Sequence, residues 1–227
     1  MQELLKSIQI RVNDKIYLKD PESSELGKNI VRRSIDMIHS MGLEAFTFKK
    51  LAIELSTTES TIYRYFENKH KLLIYLISWY WGWLEYEMVL NSINIADPVE
   101  KLGNTIETIC HPLKNNIEHD HINLQPLHKI IIEESNKAFL TKEVDIENED
   151  GLFSNYKRIN DRLIKNIKEI NPHYPYANTL ASIIIDSSNH QRFLANHFPR
   201  LTDIDKTGSD LGSFLVEMVL KTIKTDR

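Results

Sequence analysis

The sequence is poor in the residues that mark several common classes of protein. Its 227 residues include a single cysteine, Cys110, which excludes an intramolecular disulfide framework and indicates a reducing compartment. Seven glycines leave little room for a phosphate-binding loop, and neither G-x-S-x-G nor H-E-x-x-H occurs. We therefore expect no enzyme and no cofactor.

Long apolar runs are also missing. The most apolar stretch, Leu72 to Leu84, has 13 residues, whereas a helix that crosses a bilayer needs about 20. The start of the chain has no uninterrupted apolar core and no small-residue cleavage site, so no signal peptide is expected. These absences predict a cytoplasmic, soluble protein with no membrane partner.

Apolar residues recur at helical spacing along most of the chain, and strand alternation is nearly absent, which predicts an all-α protein. An amphipathic helix is expected over residues 2–19, followed by a helix that stops at Gly42. Two short helices, "KKLAIEL" with Thr47 as N-cap and "ESTIYRYF", then lead into a long helix from Lys69 to Leu90. Further helices are expected over 98–111, 125–140, 152–170, 176–197 and 211–223, with "KEVDIENEDG" as a solvated connection.

The stretch "TTESTIYRYFENKHKLL", residues 57–73, is unusual because polar tips alternate with apolar anchors. Ile62 and Phe66 lie four apart and should face inward. Tyr63, Arg64 and Tyr65 should then stay outside, where hydroxyl and guanidinium groups can bond phosphate oxygens. Residues 28–78 carry 8 Lys/Arg against 5 Asp/Glu, net +3, on a chain of net charge −4. This modest asymmetry favours a small anion-binding module on an acidic body.

The whole segment "GLEAFTFKKLAIELSTTESTIYRYFENKHKLL" closely resembles the DNA-binding region of TetR/AcrR-family transcriptional regulators. The matching motifs are Gly42-x-x-x-x-Thr47, Leu51-Ala52, Thr58-x-x-Thr61-Ile62-Tyr63-x-Tyr65-Phe66 and Asn68-Lys69-x-x-Leu72-Leu73. The resemblance covers about 45 residues, from Asn29 to Leu73. The resemblance implies an N-terminal helix-turn-helix three-helix head, joined by a long helix to a larger helical ligand-binding and dimerisation body. The implied segments are an extension at 1–24, the DNA-binding domain at 25–72 and the body at 73–227.

The resemblance also implies roles for the head residues. Thr47, Lys49, Tyr63, Tyr65 and Lys69 would position the protein on phosphates, whereas Ser60, Thr61 and Arg64 would read bases. Lys50 lies in the same first turn as Lys49, and Thr58 is the expected cap of the third helix. Glu59 departs from the family pattern and could accept from a cytosine amino group.

A second departure lies in the turn between the two short helices. The family usually has glycine there, and this chain has Ser56 followed by Thr57. Either the turn is looser, or Ser56 accepts a strained backbone at a cost of roughly 1 kcal/mol.

The resemblance implies a homodimer, held through the helices at 176–197 and 211–223, on a near-palindromic operator. A small apolar effector would release the repressor. Candidate effector-binding residues are Trp79, Trp83, Tyr86, Cys110, His111 and Tyr156, although an aromatic stripe at helical spacing is more often simple core. "HDH" at 119–121 lacks partners at metal-ligand spacing, so a solvated loop and no metal are expected. The alternative function is a DNA-silent interaction protein with a degenerate helix-turn-helix.

Overall fold

The computed structural model describes residues 10–114 and 121–224. Within these ranges all regular structure is helical and no strand occurs, which confirms the predicted all-α class. The helices are α1 (Glu25–Ala45), α2 (Phe48–Glu54), α3 (Glu59–Tyr63), α4 (Lys69–Ser92), α5 (Pro98–Cys110), α6 (Leu124–Glu134), α7 (Asn136–Phe139), α8 (Val144–Glu149), α9 (Ser154–Ile170), α10 (Ala177–His197) and α11 (Leu211–Lys224). Short 3-10 turns lie at Asp14–Ile16, Pro21–Ser23 and Pro199–Leu201.

The chain divides into two compact units. The first comprises the described residues of Met1–Gly82 and Asn115–Asn155, and the second those of Trp83–Lys114 and Tyr156–Arg227. Helix α4 contributes its first part to one unit and its last part to the other. The three segments predicted from the sequence, 1–24, 25–72 and 73–227, stay a prediction.

Residues 10–24, here called the N-terminal arm, do not form the predicted helix. Residues 1–9 of that prediction lie outside the described part of the chain. The arm is bonded to other elements: Asn155 Nδ2 donates to the Arg11 carbonyl at 3.0 Å, and the Leu18 N–H donates to the Tyr65 carbonyl at 2.8 Å. Ile10 approaches α4 so closely that a Cβ atom at Gly82 would lie 2.6 Å from its Cγ2. The helical spacing of the apolar residues in the arm does not produce a helix, because these residues contact other elements instead.

Helix α1 runs from Glu25 to Ala45, and its backbone departs from helical geometry at Gly42, where the sequence predicts that the helix stops. The Ser24 hydroxyl caps it by accepting from the Gly27 N–H at 3.1 Å. Gly42 adopts φ 76 and ψ 158, a conformation that is essentially restricted to glycine. The backbone therefore leaves the regular helix at Gly42 and turns toward α2.

The first unit also includes α6 to α8, and α6 packs on α1. The connection predicted over "KEVDIENEDG" is exposed at most of its positions, but it contains α8 and a buried carboxylate, Glu147. This carboxylate accepts from His70 Nε2 at 3.0 Å and from Lys71 Nζ at 2.8 Å. Helix α8 is thereby fixed to the first turn of α4, since a buried carboxylate is stable only with such partners.

The solvated-loop prediction for "HDH" is wrong at His121. Residues 119 and 120 lie outside the described part, but His121 is buried and its Nε2 lies 2.8 Å from Glu22 Oε1. The Tyr75 hydroxyl donates to the same oxygen at 3.0 Å. Over residues 10–114 and 121–224, no group of three or more His, Cys, Asp or Glu side chains is placed to hold a metal ion.

The second unit is built on α5, α9, α10 and α11, with α5 packed on α11. Asp97 caps α5 through the N–H groups of Val99 and Glu100, with Pro98 in the first turn as predicted. Two arginines of α9 bind the carboxylate of Glu85: Arg158 Nε donates to Oε2 at 2.7 Å, and Arg162 Nε donates to Oε1 at 2.8 Å. None of the helices in the described ranges is both long and apolar enough to span a bilayer.

Candidate nucleic-acid interface

Helix α2 begins in a cluster of polar and cationic side chains. The exposed Thr47 caps it by accepting the Lys50 N–H at 3.2 Å, as predicted. Lys50 Nζ donates to the Ala45 carbonyl at 2.7 Å, and Lys69 Nζ donates to the Leu43 carbonyl at 3.0 Å. The last carbonyls of α1 thus hold two lysines beside this helix start. Each ammonium has three N–H donors and keeps one or more for an anion.

Lys49 is exposed in the first turn of α2. The dipole at a helix N-terminus makes a cation there mildly unfavourable, by about 0.3–1 kcal/mol. An anion that binds at this point removes the disadvantage, because it interacts favourably with both the helix dipole and the lysine ammonium. Lys49 therefore fits a phosphate-binding role.

The turn between α2 and α3 is strained at the expected position. Ser56 has φ 51 and is the one residue other than glycine with positive φ in the described ranges. A left-handed conformation costs a residue with a Cβ roughly 1–2 kcal/mol. The strained-backbone alternative for Ser56 is therefore confirmed, and the short turn of the helix-turn-helix is preserved without glycine.

Helix α3 presents hydroxyl groups at its start. Thr58 is its N-cap residue, but its hydroxyl bonds the Ser60 and Thr61 hydroxyls, each at 2.9 Å, and makes no cap hydrogen bond to the backbone. The Thr58 side chain therefore does not occupy the N–H groups of the first turn, of which that of Thr61 donates to the Thr58 carbonyl at 3.0 Å. Glu59 and Ser60 are exposed at the same end.

Two anchors hold α3 against the head, as predicted. Ile62 and Phe66 are both fully buried. Tyr63 remains 46% exposed, with its ring 5.1 Å from that of Phe48 at the start of α2. Arg64 is exposed. The ring contact joins the end of α3 to the start of α2. The exposed side chains of Thr47, Lys49, Ser60, Tyr63 and Arg64 therefore form one surface, here called the recognition surface.

Tyr65 does not stay outside as predicted, and its exposure is only 3%. Its hydroxyl shares a hydrogen bond of 2.9 Å with Ser24, and its carbonyl accepts from Leu18. The N-terminal arm covers it, a contact that local sequence could not indicate. Tyr65 therefore supports the recognition surface from behind, and its predicted phosphate contact is not available in this arrangement.

The comparisons with known proteins agree with this geometry. Residues 30–76 match the family described as "Bacterial regulatory proteins, tetR family", a range that contains α2, α3 and the start of α4. The head is a tetR-family DNA-binding domain. The chain is accordingly a DNA-binding transcriptional regulator and not an enzyme. No curated protein is similar enough to count as a relative.

Solved structures of three regulators share the fold of this chain. AibR, in complex with isovaleryl coenzyme A and operator DNA, has a TM-score of 0.59 at 16% identity, covering 84% of this chain and 97% of its own. The fatty acid degradation regulator FadR from Bacillus halodurans has 0.60 at 18%, covering 85% and 93%. The ketosteroid regulator KstR2 of Mycobacterium tuberculosis has 0.56 at 14%, covering 96% and 100%.

The predicted effector residues are distributed over both units. Trp79 belongs to the first unit, and Trp83, Tyr86, Cys110, His111 and Tyr156 belong to the second. Trp79 and Trp83 are buried, and Tyr86 is half-buried. Their effector-binding role stays a prediction.

Sequence reasoning missed Arg192, which the fold brings to Cys110 and His111. Its guanidinium donates to the Cys110 carbonyl and lies 3.3 Å from His111 Nδ1. Burial raises the pKa of the Cys110 thiol to about 12, so the thiol stays protonated near neutral pH. Burial, together with the charge of Arg192, lowers the pKa of His111. Tyr156 has a separate partner, because its hydroxyl donates to Asp186 at 3.4 Å.

Proposed function

We propose that the protein binds a near-palindromic operator as a homodimer and represses transcription until a small apolar effector releases it. The observation that carries this proposal is the surface formed by Thr47, Lys49, Ser60, Tyr63 and Arg64 on a rigid pair of short helices. Helix-turn-helix proteins place such a second helix in the major groove, and dimers read half-sites about one helical turn apart.

The dimer is proposed to form through α10 and α11. Each of these helices exposes a large apolar side chain, with Ile183 45% and Phe214 52% exposed. Tyr176 and Phe198, which flank α10, are also more than half exposed. Large apolar side chains that are exposed on two helices packed on each other support a protein–protein contact there. This support applies to the two helices and not to individual contacts.

A salt titration tests DNA binding and dimerisation together. The four head cations Lys49, Lys50, Arg64 and Lys69, counted in two subunits, would neutralise about 6–8 phosphates. These head cations alone should make the logarithm of affinity for a duplex selected from a random pool fall against the logarithm of salt with a slope of about −5 to −7. A single bound subunit would give about −3. A flat dependence would support the DNA-silent alternative.

The effector is proposed to carry an apolar acyl or ring group. The aromatic side chains Trp83 and Tyr86 lie on consecutive turns of α4 in the second unit, and aromatic surfaces suit such ligands. Among the regulators of similar fold, AibR is in complex with isovaleryl coenzyme A, FadR is a fatty acid degradation regulator and KstR2 is a ketosteroid regulator.

Isovaleryl coenzyme A is a suitable first probe for the effector. We expect it to weaken binding to the selected duplex by about 5- to 150-fold, the usual range of coupling between two sites. The affinity at fixed salt is measured by fluorescence anisotropy with and without the probe, and free coenzyme A is the control for its phosphates. An unchanged affinity would remove acyl thioesters from the candidate effectors.

A further inference from the structure

The N-terminal arm meets the head next to the exposed pair Tyr63 and Arg64. The Leu18 N–H donates to the Tyr65 carbonyl at 2.8 Å, and the Ser24 hydroxyl bonds the Tyr65 hydroxyl at 2.9 Å. These two contacts lie on either side of residues 19–23 in sequence. They fix this part of the arm to the residue that follows the recognition surface.

Between the two contacts lies an exposed cation, Lys19. Its Nζ is 5.0 Å from the centroid of the Tyr65 ring. Among the described residues Lys19 forms no ion pair with a carboxylate. The neighbouring carboxylate of Asp20 accepts the Glu22 N–H at 2.9 Å and caps the turn at Pro21. The position of Lys19 is thus set by backbone contacts, while its charge is not neutralised.

Lys19 and Arg64 act on the same hydroxyl group. Burial raises the pKa of Tyr65, but the hydrogen bonds from Ser24 and Lys19 and the charges of Lys19 and Arg64 outweigh burial, so that the pKa lies below its ordinary value. Lys19 Nζ lies 5.0 Å from the centroid of the Tyr65 ring, and the exposed Arg64 directly precedes Tyr65 in the chain. Positive charge therefore extends from the recognition surface onto the arm.

Bracing of the head does not require this cation. The packing of the arm comes from Ile16 and Pro21, which are buried, and from the backbone contacts of Leu18. The contact of the exposed Lys19 ammonium with the Tyr65 ring adds only about 0.5–1 kcal/mol to such packing. This cation does suit a duplex, since phosphate contacts of DNA-binding proteins come largely from lysine and arginine beside the recognition element.

We propose that the N-terminal arm is a second DNA-binding element, in which Lys19 contacts a backbone phosphate next to the site of α3. This inference rests on the proposed function. It adds a contact outside the helix-turn-helix, and one that carries no base information. In a dimer the two arms would add about two phosphate contacts and steepen the salt dependence by about 2.

The test compares Lys19→Ala with Lys15→Ala on the selected duplex and on a scrambled one. Lys15 is an exposed cation of the same arm, but its Nζ is held 2.6 Å from Asp150 Oδ1. We expect Lys19→Ala to make the slope shallower by about 2 on both duplexes. The wild-type protein would then lose about 12-fold more affinity than the variant between about 50 and 200 mM salt. Lys15→Ala should keep the wild-type slope.

Replacing Gly27 with alanine is expected to displace the arm from the head without changing the charge of the protein. A Cβ atom at Gly27 would lie 2.2 Å from the Pro21 carbonyl oxygen, so the arm must move. With helical content verified by circular dichroism, we expect the same shallower slope. An unchanged slope in Lys19→Ala would overturn the inference, as would an equal change in Lys15→Ala. A flat wild-type slope would instead overturn the proposed function, so the two failures are distinguishable.

Discussion

Replacing Glu147 with alanine is expected to lower the free energy of unfolding by about 3–5 kcal/mol. The Glu147 carboxylate is buried and accepts from both His70 and Lys71. Its removal leaves the ammonium of Lys71, whose side chain is 19% exposed, without its carboxylate in a poorly solvated place. Breaking a buried pair on one side is more costly than never having formed it. Chemical denaturation followed by circular dichroism measures the change.

Two further substitutions make this result specific. Glu149→Ala alters an exposed residue of the same helix and should change stability by less than about 0.5 kcal/mol. Glu147→Gln keeps the shape and the acceptor oxygen, and should fall between the other two. If Glu147→Ala were as mild as Glu149→Ala, the ion pairs would not be what fixes α8 to α4.

The contrast between Glu147 and Thr47 shows where sequence reasoning succeeds. Thr47 caps α2 because its partner, the N–H of Lys50, is three residues away, and such local rules are visible in the sequence. The partners of Glu147 are 76 and 77 residues away. The segment that carries Glu147 looks solvated because six of the ten residues of "KEVDIENEDG" are charged. Only the fold reveals which carboxylate is buried.

The same distinction applies to the recognition surface. The four-residue spacing of Ile62 and Phe66 correctly predicts that both side chains are buried anchors. Tyr63 and Tyr65 look alike in sequence, yet one is 46% exposed and the other 3%. The difference arises from the N-terminal arm, which covers Tyr65 from more than 40 residues away in sequence. Local periodicity predicts a helix in that arm and cannot predict what the arm covers.

Replacing Arg64 with alanine is expected to reduce discrimination between operator and random DNA. Arg64 is exposed at the end of α3, directly after Tyr63, where its guanidinium can fork onto the O6 and N7 acceptors of guanine. Loss of such a contact costs about 1–3 kcal/mol per head at the base pair that it reads. Affinity for the selected duplex should fall by that amount, while affinity for a scrambled duplex should fall much less.

Lys69→Ala is the matched comparison for Arg64→Ala, since it also removes one positive charge. The ammonium of Lys69 is held by the Leu43 carbonyl at 3.0 Å, a position suited to a phosphate and not to a base edge. Its loss should weaken binding to both duplexes alike. Fluorescence anisotropy at one salt concentration, with selected and scrambled duplexes side by side, separates the two roles. If both substitutions lowered the two affinities equally, Arg64 would be a phosphate contact, and base reading would rest on the hydroxyl groups at the start of α3.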